Sequence, residues 1–467
     1  MKGITDKASR RISWRERRLQ AWIAGLPAAE PSRAIAALVY SVRAINAGIM
    51  DAELRIALLF CYEESALNLA AALLRPGCQI TDTTSIVALY SEIAHGYQMA
   101  LVPNLAPALR DAAVGGALRQ LREIVRGIYR CYLPTPPGLW RRIHTLYQTS
   151  PGTDEELEQV YASILLLGLA DPYALPNGGI DVVYQIAQEL KDRALLNTTQ
   201  GFALVAASDR ATDGAASDAT LFLDTEAVLA RVTQWRVDFE NRKVLPPSLA
   251  ATVLPDLAYR VFVILTAAWS LGPKRKSLRV RLSGKRLVCF GLDALKRLRE
   301  SEAAGPHYVD LDAPLSASVF GDHDVKGLPV ALPRMSLWTI RDAGRSGLWL
   351  SGTDSEGRPP APGNWVGLKD PNGSGNWRAG TVRWLKRTRP GEYAMGVEVL
   401  SEAQTEAIVR IDTQLAGAHI VPRAAKIGQA EAIRAPMIPE GMLPLSSQRP
   451  RDDLARPVRA SLSKALA

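Results

Sequence analysis

Apolar residues recur at i, i+3, i+4 and i+7 through most of the first 195 residues, the spacing that gathers them on one face of a helix. Ile35, Leu38, Val39, Val42 and Ile45 form one such stripe, and Ser32 is placed to cap it. Asp51 is placed to cap the next, which carries Leu54, Leu58 and Cys61 and stops at Pro76-Gly77. Further stripes are Ile86, Leu89, Tyr90, Ile93, Tyr97, and Leu118, Leu121, Ile124, Val125, Ile128. Pro136-Pro137-Gly138 precedes a segment with Trp140, Ile143, His144 and Tyr147. Asp154 opens another with Leu157, Val160, Ile164 and Leu167, and Ile180, Val183, Ile186 and Leu190 mark the last. Short connections between such helices imply antiparallel neighbours. No fixed sequence period appears, so residues 1–195 are expected to form a bundle rather than a solenoid.

The pattern changes near Thr199. Gly201 to Ala207 and Ala219 to Asp224 read as two short strands around a Gly/Asp/Ser-rich loop. Helical text returns from Thr225 to Asn241 and from Ser248 to Leu271, with Pro255 expected to kink or break the second segment. Tyr259 to Leu271 is apolar nearly all round, as a helix buried on several sides should be. From Gly272 the text becomes β-like. Strands are expected at Leu278–Leu282 and Arg286–Gly291 around Ser283-Gly284, with a basic helix from Asp293 to Glu300. Residues 301–333 are loop-like. Leu337–Arg341, Leu348–Ser351, Trp365–Lys369, Trp377–Leu385 and Tyr393–Leu400 follow as strands. Short strands separated by turn signals suggest a small barrel or sandwich. The expected fold class is therefore α+β, an N-terminal antiparallel helical bundle followed by a small antiparallel β-barrel. The expected divisions are 1–195 helical, 196–271 short strands and connecting helices, 272–415 the β-domain, and 416–467 an extended, partly disordered tail.

Composition narrows the function classes. Apolar residues make up 47% of the 467 residues and charged residues 22%, an ordinary globular balance. No apolar run reaches the roughly 18–20 residues needed to span a bilayer and no secretory leader is read, so no membrane insertion is expected and a cytoplasmic location is the default. Cys61, Cys78, Cys131 and Cys289 are too far apart for a CxxC pair, and the five histidines are scattered. Phosphate-loop, zinc-protease, serine-hydrolase and dinucleotide motifs are all absent, which argues against an enzyme. The net charge of +9 is partly clustered: Lys274 to Arg299 holds ten basic residues and one acid, Asp293. No helix-turn-helix or other reading element accompanies it, so nucleic acid ranks last among partners.

The motifs that carry chemistry lie in the β-region. Arg275 and Arg279 stand in Lys-Arg-Lys-Ser-Leu-Arg before the first expected strand. Asp342-Ala343-Gly344-Arg345-Ser346-Gly347 follows the strand ending near Arg341. Gly396-Val397-Glu398-Val399-Leu400 comes last. This order resembles the PilZ domain, a family of cyclic di-GMP receptors with RxxxR at a barrel mouth and [DN]xSxxG at the end of a later strand. Arg275 and Arg279 match the arginines, and Asp342 and Gly347 match the ends of the second motif. Two departures stand out: Gly344 occupies the serine position, and the stretch between Arg279 and Asp342 is longer than usual. The helical front half also looks like the long N-terminal region of some proteobacterial PilZ-containing proteins.

The resemblance implies that cyclic di-GMP is the ligand and that no other cofactor is needed. The chemistry agrees. A guanidinium fork meets guanine N7 and O6 together, binds phosphate bidentately and stacks on bases. The Asp342 carboxylate can accept from guanine N1–H and N2–H. Gly347 is expected to allow a tight turn into the next strand, and Arg341 and Arg345 are alternative anion contacts. Trp338, Trp365, Trp377 and Trp384 are expected to pack the barrel wall. The expected function is a non-catalytic receptor or adaptor that relays ligand binding to a protein partner through its helical module. The alternative is a degenerate scaffold that has lost the ligand and acts only through protein contacts.

Overall fold

A computed structural model describes residues 14–27, 29–73, 80–150, 155–198, 200–205, 208–212, 221–270, 280–303, 333–344, 346–353, 360–372, 375–389 and 391–414. They fall into two compact units, one built on Met1–Lys276 with Trp384–Ala394, the other on Ser277–Arg383 with the chain from Met395.

The first unit is helical. Its helices are α1 (residues 14–24), α2 (Pro31–Ala47), α3 (Ala52–Leu73), α4 (Ile80–Met99), α5 (Pro107–Arg130), α6 (Leu139–Gln148), α7 (Glu155–Leu169) and α8 (Gly179–Glu189). A three-stranded antiparallel sheet follows, made of β1 (Leu195–Asn197), β2 (Phe202–Leu204) and β3 (Leu221–Asp224), in the order β1-β3-β2. The helices α9 (Glu226–Arg242), α10 (Pro247–Ala250) and α11 (Pro255–Ala268) complete it. One continuous core runs from Ile35 and Leu38 of α2 through Tyr97, Leu121 and Ile164 to Val261, Phe262 and Trp269.

Several local signals resolve differently from the sequence reading. Ser32 lies inside α2, whose first turn holds Pro31 and whose cap position is Glu30. Proline at the first helical position gives up an N–H that had no intrahelical partner anyway. Asp51 does cap α3, accepting the Leu54 N–H at 3.3 Å. Pro255 opens α11 instead of kinking a longer helix, again as a first-turn proline. The apolar circumference of α11 is used within this unit: Ala258, Val261, Phe262 and Leu265 are buried, and the Trp269 indole donates to Leu166 O at 3.2 Å. Among the described helices α3 alone is long and apolar enough, by length and composition, to cross a membrane. Ile56, Leu59, Tyr62 and Ala66 of α3 nevertheless lie in the helical core, so it reads as a core helix.

Charges are buried in this unit in pairs. Arg119 of α5 meets Glu63 of α3 at 3.2 Å, and Arg126 meets Asp181 of α8 at 2.9 Å and Glu123 at 3.3 Å. Tyr184 O–H donates to Glu123 at 2.5 Å, while the Arg126 guanidinium lies 4.1 Å from the Tyr184 ring centroid. The start of α6 is held from a distance. Asp209 accepts from the Gly138 N–H at 2.6 Å and from the Trp140 N–H at 3.2 Å. The Gly138 N–H, first among these donors, keeps the Asp209 carboxyl below the usual carboxylate range. A lowered folded pKa contributes stability that is present above the unfolded value, about 3.9, and is lost as pH falls through the folded one. Asp209→Asn should therefore lower the melting temperature modestly at pH 7 and flatten its decline below about pH 4. A variant with the wild-type acid profile would show that Asp209 does not hold α6.

The strands after α11 form a closed barrel of six antiparallel strands in the order β4-β5-β6-β9-β8-β7, most of whose residues belong to the second unit. They are β4 (Gly284–Phe290), β5 (Ser336–Ala343), β6 (Gly347–Thr353), β7 (Trp365–Lys369), β8 (Arg378–Arg389) and β9 (Glu392–Val399). Alternation along the strands sends Val288, Trp338, Ile340, Leu350, Val366 and Val397 inward, all nearly fully buried. Trp338 lies so close to Gly352 that a Cβ there would stand 2.6 Å from its ring. The opposite face of β4, β7 and β8 is covered by α12 (Leu292–Ala303), whose Leu295 and Leu298 pack on Cys289, Trp377 and Ala379. Burial raises the Cys289 thiol to about 12, so it is a packing group without thiolate reactivity. The chain ends its described course in α13 (Glu402–Gln414).

Gly284 is not the corner of a hairpin with the preceding segment. It starts β4, which pairs with β5 and β7 and closes the barrel. Most of the expected loop at 301–333 and the tail from 416 lie outside the described residues.

Candidate functional site

The strands β5 and β6 form a hairpin at one end of the barrel. Their turn is closed by the Gly344 N–H donating to Gly347 O at 2.8 Å. Its register is Thr339 with Ser351 and Ile340 with Leu350, then Asp342 with Trp349 and Ala343 with Leu348. The count slips by one at Arg341, a β-bulge.

That bulge decides which way the aspartate faces. Trp338 and Ile340 point into the barrel, and period-two alternation would send residue 342 inward as well. One extra residue reverses the phase. Asp342 is paired with Trp349, the neighbour of fully buried Leu350, and directly opposed residues share a face. Asp342 and Trp349 therefore sit together on the outer face. Trp349 is 38% exposed there, large for an indole on a strand. Arg341 is on the same side, its Nε donating to Ser351 Oγ at 2.7 Å.

A second segment meets this hairpin. Val280 forms an isolated antiparallel bridge with Ala343. The Val280 N–H donates to Ala343 O at 2.9 Å, and the Ala343 N–H donates to Val280 O at 3.0 Å. The residue after Arg279 is thus joined by two hydrogen bonds to the residue after Asp342. The Val280–Ala343 bridge continues the antiparallel β4–β5 ladder, in which Gly284 faces Ile340, past the bulge at Arg341. Arg275, Arg279 and Arg345 lie outside the described residues.

Gly347 serves a different purpose from the one expected. It is extended at the start of β6, and a Cβ there would stand 3.3 Å from Val397 O of β9. Close approach of backbone, rather than a left-handed turn, is what glycine permits here. The Val399 N–H donates to Ser346 O at 2.8 Å and ties β9 to the same turn. Next to it, Glu398 is paired with Arg383 across β8 and β9.

The tryptophan reading holds for Trp338 and Trp377, which are 0% and 2% exposed. The bulge was not foreseen; no residue type in Thr-Ile-Arg-Asp-Ala announces one. The exposed indole of Trp349 had a weak sequence signal, its place just after the Gly347-Leu348 turn.

This end of the barrel therefore presents a carboxylate and a partly exposed indole on its outer face. Among the described residues no group of three or more His, Cys, Asp or Glu is arranged to hold a metal ion. Two comparisons bear on the chain. A family model described as "Cyclic-di-GMP receptor FimW, N-terminal domain" matches residues 17–200. The chain is also 23% identical over 514 aligned residues to "Cyclic-di-GMP receptor FimW" of Pseudomonas aeruginosa, covering 90% of this chain and 83% of the relative. The likeness is to a cyclic di-GMP receptor and does not single out a PilZ domain.

Proposed function

We propose that this chain is a cyclic di-GMP receptor that binds its ligand on the outer face of the β5–β6 hairpin, in a PilZ-like manner. The observation that supports the reading is the Val280–Ala343 bridge, between the residue after Arg279 and the residue after Asp342. The likeness to a named cyclic di-GMP receptor supports the choice of ligand. In this reading Arg275 and Arg279 grip guanine edges and phosphates, and Asp342 accepts from guanine N1–H and N2–H. Gly344 and Gly347 let the backbone close around the ligand, and Arg341 and Arg345 add positive charge. No chemistry is done on the ligand and no cofactor takes part. The receptor acts in the cytoplasm by a shift of population, which moves only by the ligand's differential affinity for two states. The helical unit passes that shift to a protein partner.

Trp349 extends the reading. Its position opposite Asp342 suits it to stack on the guanine whose edge the carboxylate holds. Stacking is worth roughly 1–3 kcal/mol per base, so Trp349→Ala should weaken binding about tenfold while Trp349→Phe keeps most of it. Equal affinity of the alanine variant and wild type would remove the indole from the site.

Gly344 favours a second reading. Without the family's serine hydroxyl, the barrel could serve as a scaffold that acts through protein contacts alone. Titration calorimetry with cyclic di-GMP, with GTP and a short DNA duplex as controls, separates the two. Saturable heat with cyclic di-GMP alone supports the receptor. No heat at high micromolar ligand supports the scaffold.

A further inference from the structure

The helix α1 presents an unusual outer face. Its inner side is supplied by Leu19, Ile23 and Leu26, which pack against the helical core. At 3.6 residues per turn, Trp14, Arg15, Arg18 and Trp22 fall within an arc of about 100° that adjoins the packed side and faces solvent. Trp14 is 56% exposed and Trp22 42%. Arg15 and Arg18 are exposed, and the Arg18 guanidinium lies 5.5 Å from the Trp14 ring centroid. Folding explains the three aliphatic residues but gives no reason for two indoles on the solvent side.

Charge identifies the occupant. The first 18 residues contain seven basic and two acidic residues, so the segment leading into this face carries an excess of positive charge. We infer that the Trp14–Arg15–Arg18–Trp22 face of α1 adsorbs to an anionic lipid surface. Indole rings favour the headgroup level of a bilayer, where an apolar body and a polar N–H are both accommodated. Arginines at the same height meet lipid phosphates. The aliphatic side of α1 is committed to the core, so contact is shallow, held by two rings and a basic cluster, and crosses nothing. An acidic protein surface would match the charge but would leave unexplained why two exposed rings flank Arg18, with the small residues Ala21 and Gly25 beside Trp14. The inference stands apart from the proposed ligand site.

The test is co-sedimentation of the full chain with vesicles of phosphatidylglycerol and phosphatidylcholine, or of phosphatidylcholine alone. Binding is expected to the anionic vesicles only, falling steeply with added salt. Arg15→Glu/Arg18→Glu and Trp14→Ala/Trp22→Ala should each lower the bound fraction about tenfold or more. Both pairs are exposed, and circular dichroism melting verifies that each variant folds. Equal binding to neutral vesicles, or variants that bind like wild type, would overturn the inference. Absence of wild-type binding to anionic vesicles would also overturn it and point to an acidic protein as the occupant.

Discussion

Replacing both Arg275 and Arg279 with alanine lowers the affinity for cyclic di-GMP by at least about a hundredfold. Each hydrogen bond to a charged group contributes on the order of 1.5–3 kcal/mol, and about 1.4 kcal/mol is a factor of ten. In the proposed site, two guanidinium groups acting on one dianionic ligand are expected to carry most of its binding energy. Asp342→Asn should cost about tenfold, since it keeps the shape but loses the charge that receives the guanine N–H groups. Arg279→Lys should also weaken binding, because an ammonium cannot reproduce the bidentate fork. Calorimetric titration of folded variants measures all three. Binding that survives loss of both arginines would move the site to Arg341 and Arg345.

The largest stability effect is expected in the helical unit, at Glu63→Gln. Burial pushes the Arg119 guanidinium down, but the Glu63 carboxylate beside it, together with Tyr97 and Glu156, holds it above its usual value. Both side chains are largely buried, at 17% and 8% exposure. Removing the carboxylate's charge leaves a buried cation without its counter-charge, a change that typically costs about 3–5 kcal/mol. For a unit of this size that corresponds to a fall of roughly 10 °C in melting temperature. Calorimetric melting checks it, and a shift under about 2 °C would show that solvent reaches Arg119.

Periodicity made most of the architecture legible. Alternating apolar residues in Trp365–Lys369 and Tyr393–Leu400 marked strands because one face of each is committed to the barrel interior. Stripes such as Leu118, Leu121, Val125 and Ile128 marked helices for the corresponding reason. Errors came where one residue type serves two purposes. Pro255 and Pro31 break helices internally but start them well, and only the neighbouring elements decide which. Helix α1 escaped notice because its basic residues and indoles hide a sparse inner stripe of Leu19, Ile23 and Leu26. In the site, Asp342, Gly344 and Gly347 were legible as a motif, whereas the Arg341 bulge depends on the pairing with β6. The contact of Val280 with Ala343 likewise follows from the pairing of β4 with β5, invisible in a sequence where the two lie far apart.

The central claim is that cyclic di-GMP lies on the outer face of the β5–β6 hairpin beside the segment preceding Val280. Photocrosslinking the full chain with an 8-azidoguanine analogue of cyclic di-GMP, followed by peptide mapping, tests it most directly. Label is predicted on peptides spanning residues 275–282 and 341–351, and excess unlabelled cyclic di-GMP should abolish it. Competed label confined to residues 17–200 would contradict the account and place the receptor site in the helical unit.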